Sequence, residues 1–468
     1  MLTRFVIVSF VTLVTASCTL GPDYRRPVIP TPDTFRGADS ASEAGAASLA
    51  DLRWSELFRD DVLTGLVTSA LRQNFDVRIA AERVLQARAV YRINRSEQFP
   101  SVGASATVVS TRISRSGANP GIPPDVDPNV SYTEVGFSLG WELDVWGRLR
   151  RLTESARAQY FATEETRRGV IVTLVADVTD TYLALRALDL ELQIADRTRE
   201  VATAGLRLTE ARRDRGVASA LDVRQAEQLL HTATGRIASL ERDVAQTENA
   251  LSLLVGQLPG EVPRGRELEA FETPPSVPAG LPSALLERRP DIRRAEQELI
   301  AANAQIGAAK AEYFPRISLT GFLGGQSRAL TDLLSAPART WTFTAGAAAP
   351  IFNAGRTGAN VQLAEAIQRE LVVNYQRAIY TAFREVSDSL AEYRKTGEQR
   401  IEQARLVDAL RASTRLSTER YQAGIDSYLQ VLDAQRNLFE GELNLARLRG
   451  QELAAVVHLY RALGGGWS

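Results

Sequence analysis

Strict alternation of apolar and polar residues marks four short stretches of the chain. The clearest is YTEVGFSLGWELD (132–144), and its period is that of a β-strand with one apolar face. Its apolar residues are Val135, Phe137, Leu139, Trp141 and Leu143. The same period gives three further apolar faces, formed by Val102, Ala104, Ala106 and Val108, by Ile317, Leu319, Gly321 and Leu323, and by Trp341, Phe343, Ala345, Ala347 and Ala349. We therefore predict two hairpins of strands about 9–11 residues long, the length of a tilted strand that crosses a bilayer.

A second pattern, apolar residues at alternating spacings of three and four, marks long helices. It is clearest over 171–195 and 230–254, where charged residues fill the other faces, as in coiled coils. Neither 148–215 nor 356–423 contains a proline. At 1.5 Å per residue, each of these two segments fits a helix of about 100 Å.

Two glycine-containing segments predict where these helices turn. They are RRDRGVAS (212–219) and YQAGIDS (421–427), and Gly216 and Gly424 suit the end of a helix because glycine readily adopts positive φ. We predict that each long helix continues into an antiparallel helical hairpin.

The chain contains an internal repeat of one unit. Residues 66–100 align with 281–315, so that Phe-Pro ends both segments, and 215–230 align with 423–438. Each copy predicts a helix, two strands and two long helices. A connector rich in proline and glycine, 258–280, separates the copies.

These patterns give a domain organisation in five parts. We predict a signal peptide at 1–17, a lipidated N-terminal segment at 18–60, a first repeat at 61–257, the connector at 258–280 and a second repeat at 281–468.

The only cysteine follows an apolar run that has the length of a signal-peptide core. Ala16 and Ser17 directly before Cys18 resemble a bacterial lipobox, although Thr15 stands where leucine is usual. We predict acylation of Cys18, and Thr19 after it favours the outer membrane by resemblance to bacterial sorting rules. Cleavage without acylation is the alternative, and a reactive thiol is disfavoured because no histidine lies nearby.

Composition narrows the functional classes. A formal net charge of −1 argues against a nucleic-acid partner, and two histidines with one cysteine leave no metal cluster of the usual spacing. We expect no cofactor and no enzyme activity. No other apolar run approaches transmembrane-helix length, so a membrane-spanning part must be β.

Four strands cannot close a barrel, and unpaired strand edges are not tolerated in lipid. The simplest closure pools the strands of three chains into twelve, with the helices continuing as a tube into the periplasm. A soluble sandwich is the alternative for the strands, and four strands in two distant hairpins make a poor one.

The sequence resembles the bacterial outer-membrane factors, the TolC-like exit ducts, and specifically their efflux lipoprotein (NodT/OprM-type) branch. The resemblance lies in CTLGPDYRRP (18–27), WELDVWGRLR (141–150), ERRPDIRRAE (287–296) and RYQAGIDSYLQVLDAQRNLF (420–439). It implies a mainly α fold with a membrane β-barrel: a homotrimer with four strands per chain in a shared 12-stranded barrel and coiled-coil hairpins forming a periplasmic tube. It also implies an outer-membrane channel of a tripartite efflux system, with a periplasmic adaptor and an inner-membrane pump as partners.

The resemblance places a periplasmic gate in the helical turns. We predict that Asp426 and Asp433 fall at acidic gate positions, with Gln430, where some family members carry another aspartate, and Asp222 beside them. Three copies of Asp426 near an axis would repel one another and favour cations. A helix N-cap is the alternative role for Asp426.

Small residues at the turns predict contact with a partner helix. The predicted adaptor-contact residues are Gly216, Ala218, Ser219, Gly424, Ser427 and Tyr428. Glu142 and Asp144 share the polar face of a strand, which predicts that they face the channel lumen rather than form a catalytic pair.

Other functions remain open from the sequence. A duct for type I protein secretion is the alternative within the channel class. A periplasmic coiled-coil scaffold or adaptor lipoprotein would explain the heptads but not the strands, and the duplicated hairpins argue against a carboxylate-based cell-wall enzyme.

Overall fold

The computed structural model of the chain describes residues 19–32, 34–36, 48–115, 123, 125–272 and 282–465. The expected signal peptide and Cys18 lie outside these residues.

Helices and strands follow the predicted order in both repeats. The main elements are α1 (Asp61–Gln73), α2 (Phe75–Ser96), β1 (Ser101–Arg112), β2 (Asn129–Leu143), α3 (Arg148–Asp214), α4 (Ala220–Val255), α5 (Pro290–Ala311), β3 (Arg316–Ser327), β4 (Arg339–Ala348), α6 (Arg356–Gln422) and α7 (Tyr428–Ala462). Short helical segments lie at Leu49–Asp51, Trp54–Phe58, Leu268–Ala270, Pro282–Ala284, Leu285–Arg288, Leu330–Asp332 and Ala336–Ala338. The predicted mainly α architecture with four strands is confirmed.

Local capping accounts for the start of α1 and for its separation from α2. The Asp60 side chain accepts a hydrogen bond from the Leu63 N–H and caps α1. Asn74 lies between α1 and α2, and its Oδ1 accepts from the amides of Asp76 and Val77 at 2.8 and 3.1 Å. These side chains satisfy amides that have no partner within the helix.

The four strands form one antiparallel sheet in the order β1-β2-β3-β4. β2 pairs with β3, so the sheet joins the two repeats. The register brings the alternating apolar residues onto one face: Phe137, for example, pairs with Ala104 on one side and with Leu323 on the other. β4 ends at Ala348, one residue before the predicted Ala349.

The long helices form hairpins whose turns lie where the glycines predict them. α3 ends at Asp214 and α4 begins at Ala220, while α6 ends at Gln422 and α7 begins at Tyr428. Near the turns, one buried cluster draws side chains from all four helices, namely Ala202, Ala226, Leu229, Tyr421, Tyr428, Val431 and Leu432. The apolar spacing of three and four therefore forms the packed seam between the helices.

The chain divides into two compact units, and each draws segments from both repeats. The first unit comprises the described residues within 1–27, 84–163 and 295–375 and contains the sheet. The second comprises the described residues within 28–83, 164–294 and 376–468 and contains both helical turns. Among the described residues, none of the helices combines the length and apolar character that a membrane span requires.

Candidate functional site

The first helical turn, 212–219, is held by its own backbone and by a side-chain cap. Gly216 has φ +80°, its amide donates to the Arg213 carbonyl, and the Val217 amide donates to the Arg212 carbonyl at 2.9 Å. This pair of bonds is the Schellman arrangement that ends many helices. The turn is thus satisfied without any partner molecule.

A reciprocal cap then starts α4. The Ser219 hydroxyl accepts from the Asp222 amide at 3.2 Å, and the Asp222 carboxylate accepts from the Ser219 amide at 2.7 Å. This is a capping box, in which two helix-end amides find acceptors. Asp222, predicted beside the gate, therefore serves as a helix cap in this chain.

The second turn, 421–427, has the same backbone and a different set of side chains. Gly424 has φ +73°, and the Ile425 amide donates to the Arg420 carbonyl at 2.9 Å. Ser427 is the N-cap of α7, but its side chain makes no capping hydrogen bond. The alternative role of Asp426 as the N-cap is therefore wrong.

Asp426 instead forms an ion pair across the second turn. Its carboxylate accepts from Arg420 Nε at 2.6 Å and from Arg420 Nη2 at 3.0 Å. These hydrogen bonds hold the pKa of Asp426 below its ordinary value. Arg420 thus compensates the charge on which the predicted carboxylate ring depends, and it was not singled out from the sequence.

The remaining predicted gate residues lie on the first turns of α7. Gln430 is exposed, and its amide donates to the Ser427 carbonyl at 3.2 Å. Asp433 is exposed and accepts from Arg436 Nη2 at 3.0 Å and from Asn437 Nδ2 at 3.2 Å. Their side chains form neither an ion pair with Asp426 nor a shared cluster, and no metal-binding group occurs among the described residues.

The predicted adaptor-contact residues are mostly accessible. Gly216, Ser219, Gly424 and Ser427 are exposed, and Ala218 is half-buried. Tyr428 differs because its ring is only 5% exposed, packed edge-on against Tyr421 with centroids 5.3 Å apart. Tyr428 therefore belongs to the packing behind the turn rather than to its accessible surface.

Each turn also exposes two large apolar side chains at equivalent positions. Val217 and Leu221 are 66% and 64% exposed, and Ile425 and Leu429 are 63% and 51% exposed. These four residues, which we call the tip quartet, were not predicted from the sequence. The signal that could have found them is the repeat itself, since an apolar residue directly follows each turn glycine and another lies four positions further on.

Glu142 and Asp144, predicted to face the lumen, lie where β2 passes into α3. Glu142 accepts from Arg148 Nε and Nη2 at 3.0 and 2.9 Å. Asp144 accepts from the amides of Leu149 and Arg150 at 3.0 and 2.8 Å. The two carboxylates therefore fix the start of α3, and no shared proton or substrate is needed to explain them.

The sheet exposes its apolar face. The exposed fraction is 62% for Phe137, 64% for Leu323, 74% for Trp341 and 60% for Phe343. Large aromatic and aliphatic residues in a contiguous exposed patch mark a surface that another molecule or a membrane covers.

Comparison with known proteins agrees with this arrangement. A family model described as outer membrane efflux protein matches residues 66–257 and 281–465. The chain is 41% identical to the solvent efflux pump outer membrane protein SrpC of Pseudomonas putida, with 98% of this chain and 97% of that protein covered. It is 35% identical to the cation efflux system protein CusC of Escherichia coli, with 98% and 97% covered.

Solved structures show the same fold. The Neisseria gonorrhoeae MtrE outer membrane channel, in its open state, superposes with a TM-score of 0.86 at 30% identity, covering 96% of this chain and 99% of that one. The outer-membrane channel OprN gives a TM-score of 0.86 at 32% identity, covering 96% and 100%. The predicted resemblance is confirmed, and this chain belongs to the outer membrane efflux protein family.

Proposed function

We propose that this outer-membrane efflux protein is the passive exit duct of a tripartite pump and that three copies form it. The observation that carries the proposal is the sheet and its exposed apolar face. In the part of the chain that the structure describes, its strands β1 and β4 have a partner on one side only. Unpaired strand edges in lipid leave several backbone groups unsatisfied, so four strands have to be completed by other chains. Three copies supply twelve strands.

The relatives favour export of small solutes over protein secretion. SrpC is named for solvent efflux and CusC for cation efflux. In this proposal an inner-membrane pump selects the solute, and the present chain supplies the way out.

The second helical turn acts as the periplasmic gate in this proposal. The Arg420–Asp426 pair fixes the turn within one chain, and both side chains are partly accessible. An approaching adaptor can therefore compete for either charge. Opening then replaces one exposed ion pair by others, which costs little because such pairs contribute weakly to stability.

The adaptor contacts the tip quartet together with the small residues beside it. Exposed apolar side chains next to Gly216 and Gly424 offer a partner helix both apolar area and close approach. Partner burial of Val217, Leu221, Ile425 and Leu429 supplies the favourable free energy that the turns alone do not provide.

A lipid on Cys18 fits the position of the residue that follows it. Thr19 is packed against Gly147, where an added Cβ would lie 2.8 Å from Thr19 Cγ2. The Leu20 amide donates to the Trp146 carbonyl at 3.2 Å. Because Trp146 follows β2 by three residues, the anchor would emerge beside the end of a strand.

Planar-bilayer recording tests the channel and its gate together. We expect the purified protein to form discrete conducting channels and Asp426→Ala to raise their conductance, because the ion pair across the turn is lost. Asp408→Ala is the matched control, since it removes an exposed aspartate that pairs with Arg411 on the same helix, away from the turn. Absence of channels would contradict the proposed function, and equal conductance of the two variants would contradict only the gate.

Labelling with radioactive palmitate tests the anchor separately. We expect Cys18→Ser to lose the label while still forming channels. A variant that keeps the label would show that Cys18 is not the acylated residue.

A further inference from the structure

The two edge strands, β1 and β4, each leave one side of the sheet unpaired among the described residues. Within the described ranges, β1 pairs only with β2, and β4 pairs only with β3. Side chains along both edges are exposed, including Val102 at 69%, Val108 at 73% and Phe343 at 60%. If three copies share a barrel, β4 of one copy has to meet β1 of the next.

The internal repeat supplies a template for that contact. In the first hairpin Ser101 pairs with Gly140, and in the second Arg316 pairs with Ala348. Ser101 and Arg316 both follow the repeated Phe-Pro, and Gly140 and Ala348 both lie seven residues before the repeated Gly-Arg step. The two hairpins therefore have the same internal register.

One junction between repeats is already visible inside the chain. β2 of the first hairpin pairs with β3 of the second, with Gly140 opposite Thr320 and Phe137 opposite Leu323. By the repeat, β4 is the equivalent of β2, and β1 is the equivalent of β3. The junction between copies would then join equivalent strands in the same order.

We propose that β4 of one copy pairs with β1 of the next copy in the register of the β2–β3 junction. This register places Ala348 opposite Ser105 and Ala345 opposite Val108 of the second copy. The proposal rests on the proposed shared barrel and goes beyond it, because closure by itself does not determine which residues meet.

The side-chain faces agree with this register. Ala345 and Val108 both belong to the apolar alternation of their strands, so the exposed apolar face continues across the junction. A slip by one residue would turn the apolar face of one strand to the other side of the sheet. A slip by two would keep the faces but would make the junctions within and between copies different.

The exposure of two residues near one end of the edge strands gives a second argument. Within the chain, Leu143 faces Ile317, and both are half-buried. Their equivalents at the free edges are Ile351 and Val102, which are 95% and 69% exposed. The proposed register sets these two residues opposite each other, so each copy covers the exposed residue of its neighbour.

Disulfide cross-linking tests the register. Ala348→Cys is combined in turn with Gly103→Cys, Ser105→Cys or Thr107→Cys, three neighbours on one face of β1. Within one chain β1 and β4 are three strand spacings apart, roughly 14 Å, which is too far for a disulfide, so any bond joins two copies. We expect the pair with Ser105→Cys to give about tenfold more covalent dimer and trimer than either other pair.

An in-chain pair provides the matched control. Gly140→Cys with Thr320→Cys occupies the equivalent positions of the β2–β3 junction and should form its disulfide under the same oxidation. Variants that carry only one of these introduced cysteines, besides the native Cys18, should give no cross-link.

The mass of each preparation separates the possible failures. A trimer that cross-links best through position 103 or 107, or through none of the three, overturns the register and leaves the proposed channel standing. A monomeric protein overturns both.

Discussion

The two helical turns have the same backbone conformation but different stabilising side-chain contacts. Both end a long helix with a glycine at positive φ and the same pair of backbone hydrogen bonds. The first turn is then closed by the Ser219–Asp222 capping box, whereas the second lacks a side-chain cap and carries the Arg420–Asp426 pair. Ala218 stands where the second turn has Asp426, and Gln430 stands where the first has Asp222.

This difference suits the turns of the two repeats to different roles. A capping box satisfies backbone amides that have no better acceptor, so the first turn loses stability if it rearranges. An exposed ion pair exchanges readily with water and with the charges of a partner. In the proposed gate, the second turn is therefore the one suited to open, and the first is suited to stay fixed.

Replacing the turn glycines should give the largest effect and should affect both turns alike. A side chain at Gly216 or Gly424 meets no atom within 4 Å, so the cost of alanine is conformational. We expect Gly216→Ala and Gly424→Ala each to destabilise their own turn by about 1–2 kcal/mol, because alanine disfavours positive φ. Hydrogen exchange of the amides in each turn measures this.

Gly235→Ala is the control for those variants. Gly235 lies inside α4 without positive φ and with open space around its Cα. Alanine there should slow exchange, since it favours the helix. Equal effects at all three positions would contradict the role of positive φ.

Removing the side-chain cap should destabilise the first turn and not the second. Asp222→Ala is expected to destabilise the first turn by about 1 kcal/mol, roughly a fivefold faster exchange, because the capping box is lost. Gln430→Ala at the equivalent position should leave the second turn unchanged, since that side chain caps nothing. Similar changes of exchange rate in both turns would contradict the conclusion that only the first turn has a side-chain cap.

Acid should act on the second turn through Asp426. The hydrogen bonds from Arg420 lower the pKa of Asp426 from 3.8, so the pair is intact above that value and is lost as pH falls through the lower folded-state value. We expect conductance to stay constant down to about pH 4 and to rise below it. Asp426→Ala and Arg420→Ala should both remove this response, because either substitution abolishes the ion pair at every pH.

Two results would contradict the predicted acid response. A wild-type conductance that changes between pH 5 and 8 would show that another group controls the gate. A response that persists in Asp426→Ala would lead to the same conclusion.

Regular periodicity made most of the fold predictable. Alternation located the four strands to within a few residues, and the absence of proline between Gly147 and Gly216 indicated one continuous helix. The positions of Gly216 and Gly424 located both turns because positive φ strongly favours glycine. These features are local, so the sequence contains them directly.

Contacts that close within a turn were harder to predict. Asp426 was expected in a carboxylate ring, with a helix N-cap as the alternative. The N-cap is Ser427 instead, and the Schellman geometry brings Arg420, six residues earlier, against Asp426. Tyr428 was expected to contact an adaptor together with the small residues of the turns, yet it is buried by Tyr421 and by side chains from the other long helices. Both outcomes depend on the three-dimensional path of the chain, which periodicity does not determine.

The central claim is that three copies share one duct, and the mass of the detergent-extracted protein tests it most directly. Light scattering on material from isolated outer membranes, corrected for bound detergent, should give three times the 51.2 kDa chain, about 150 kDa. A monomer or dimer of the intact protein would contradict the shared barrel and the gate built on it.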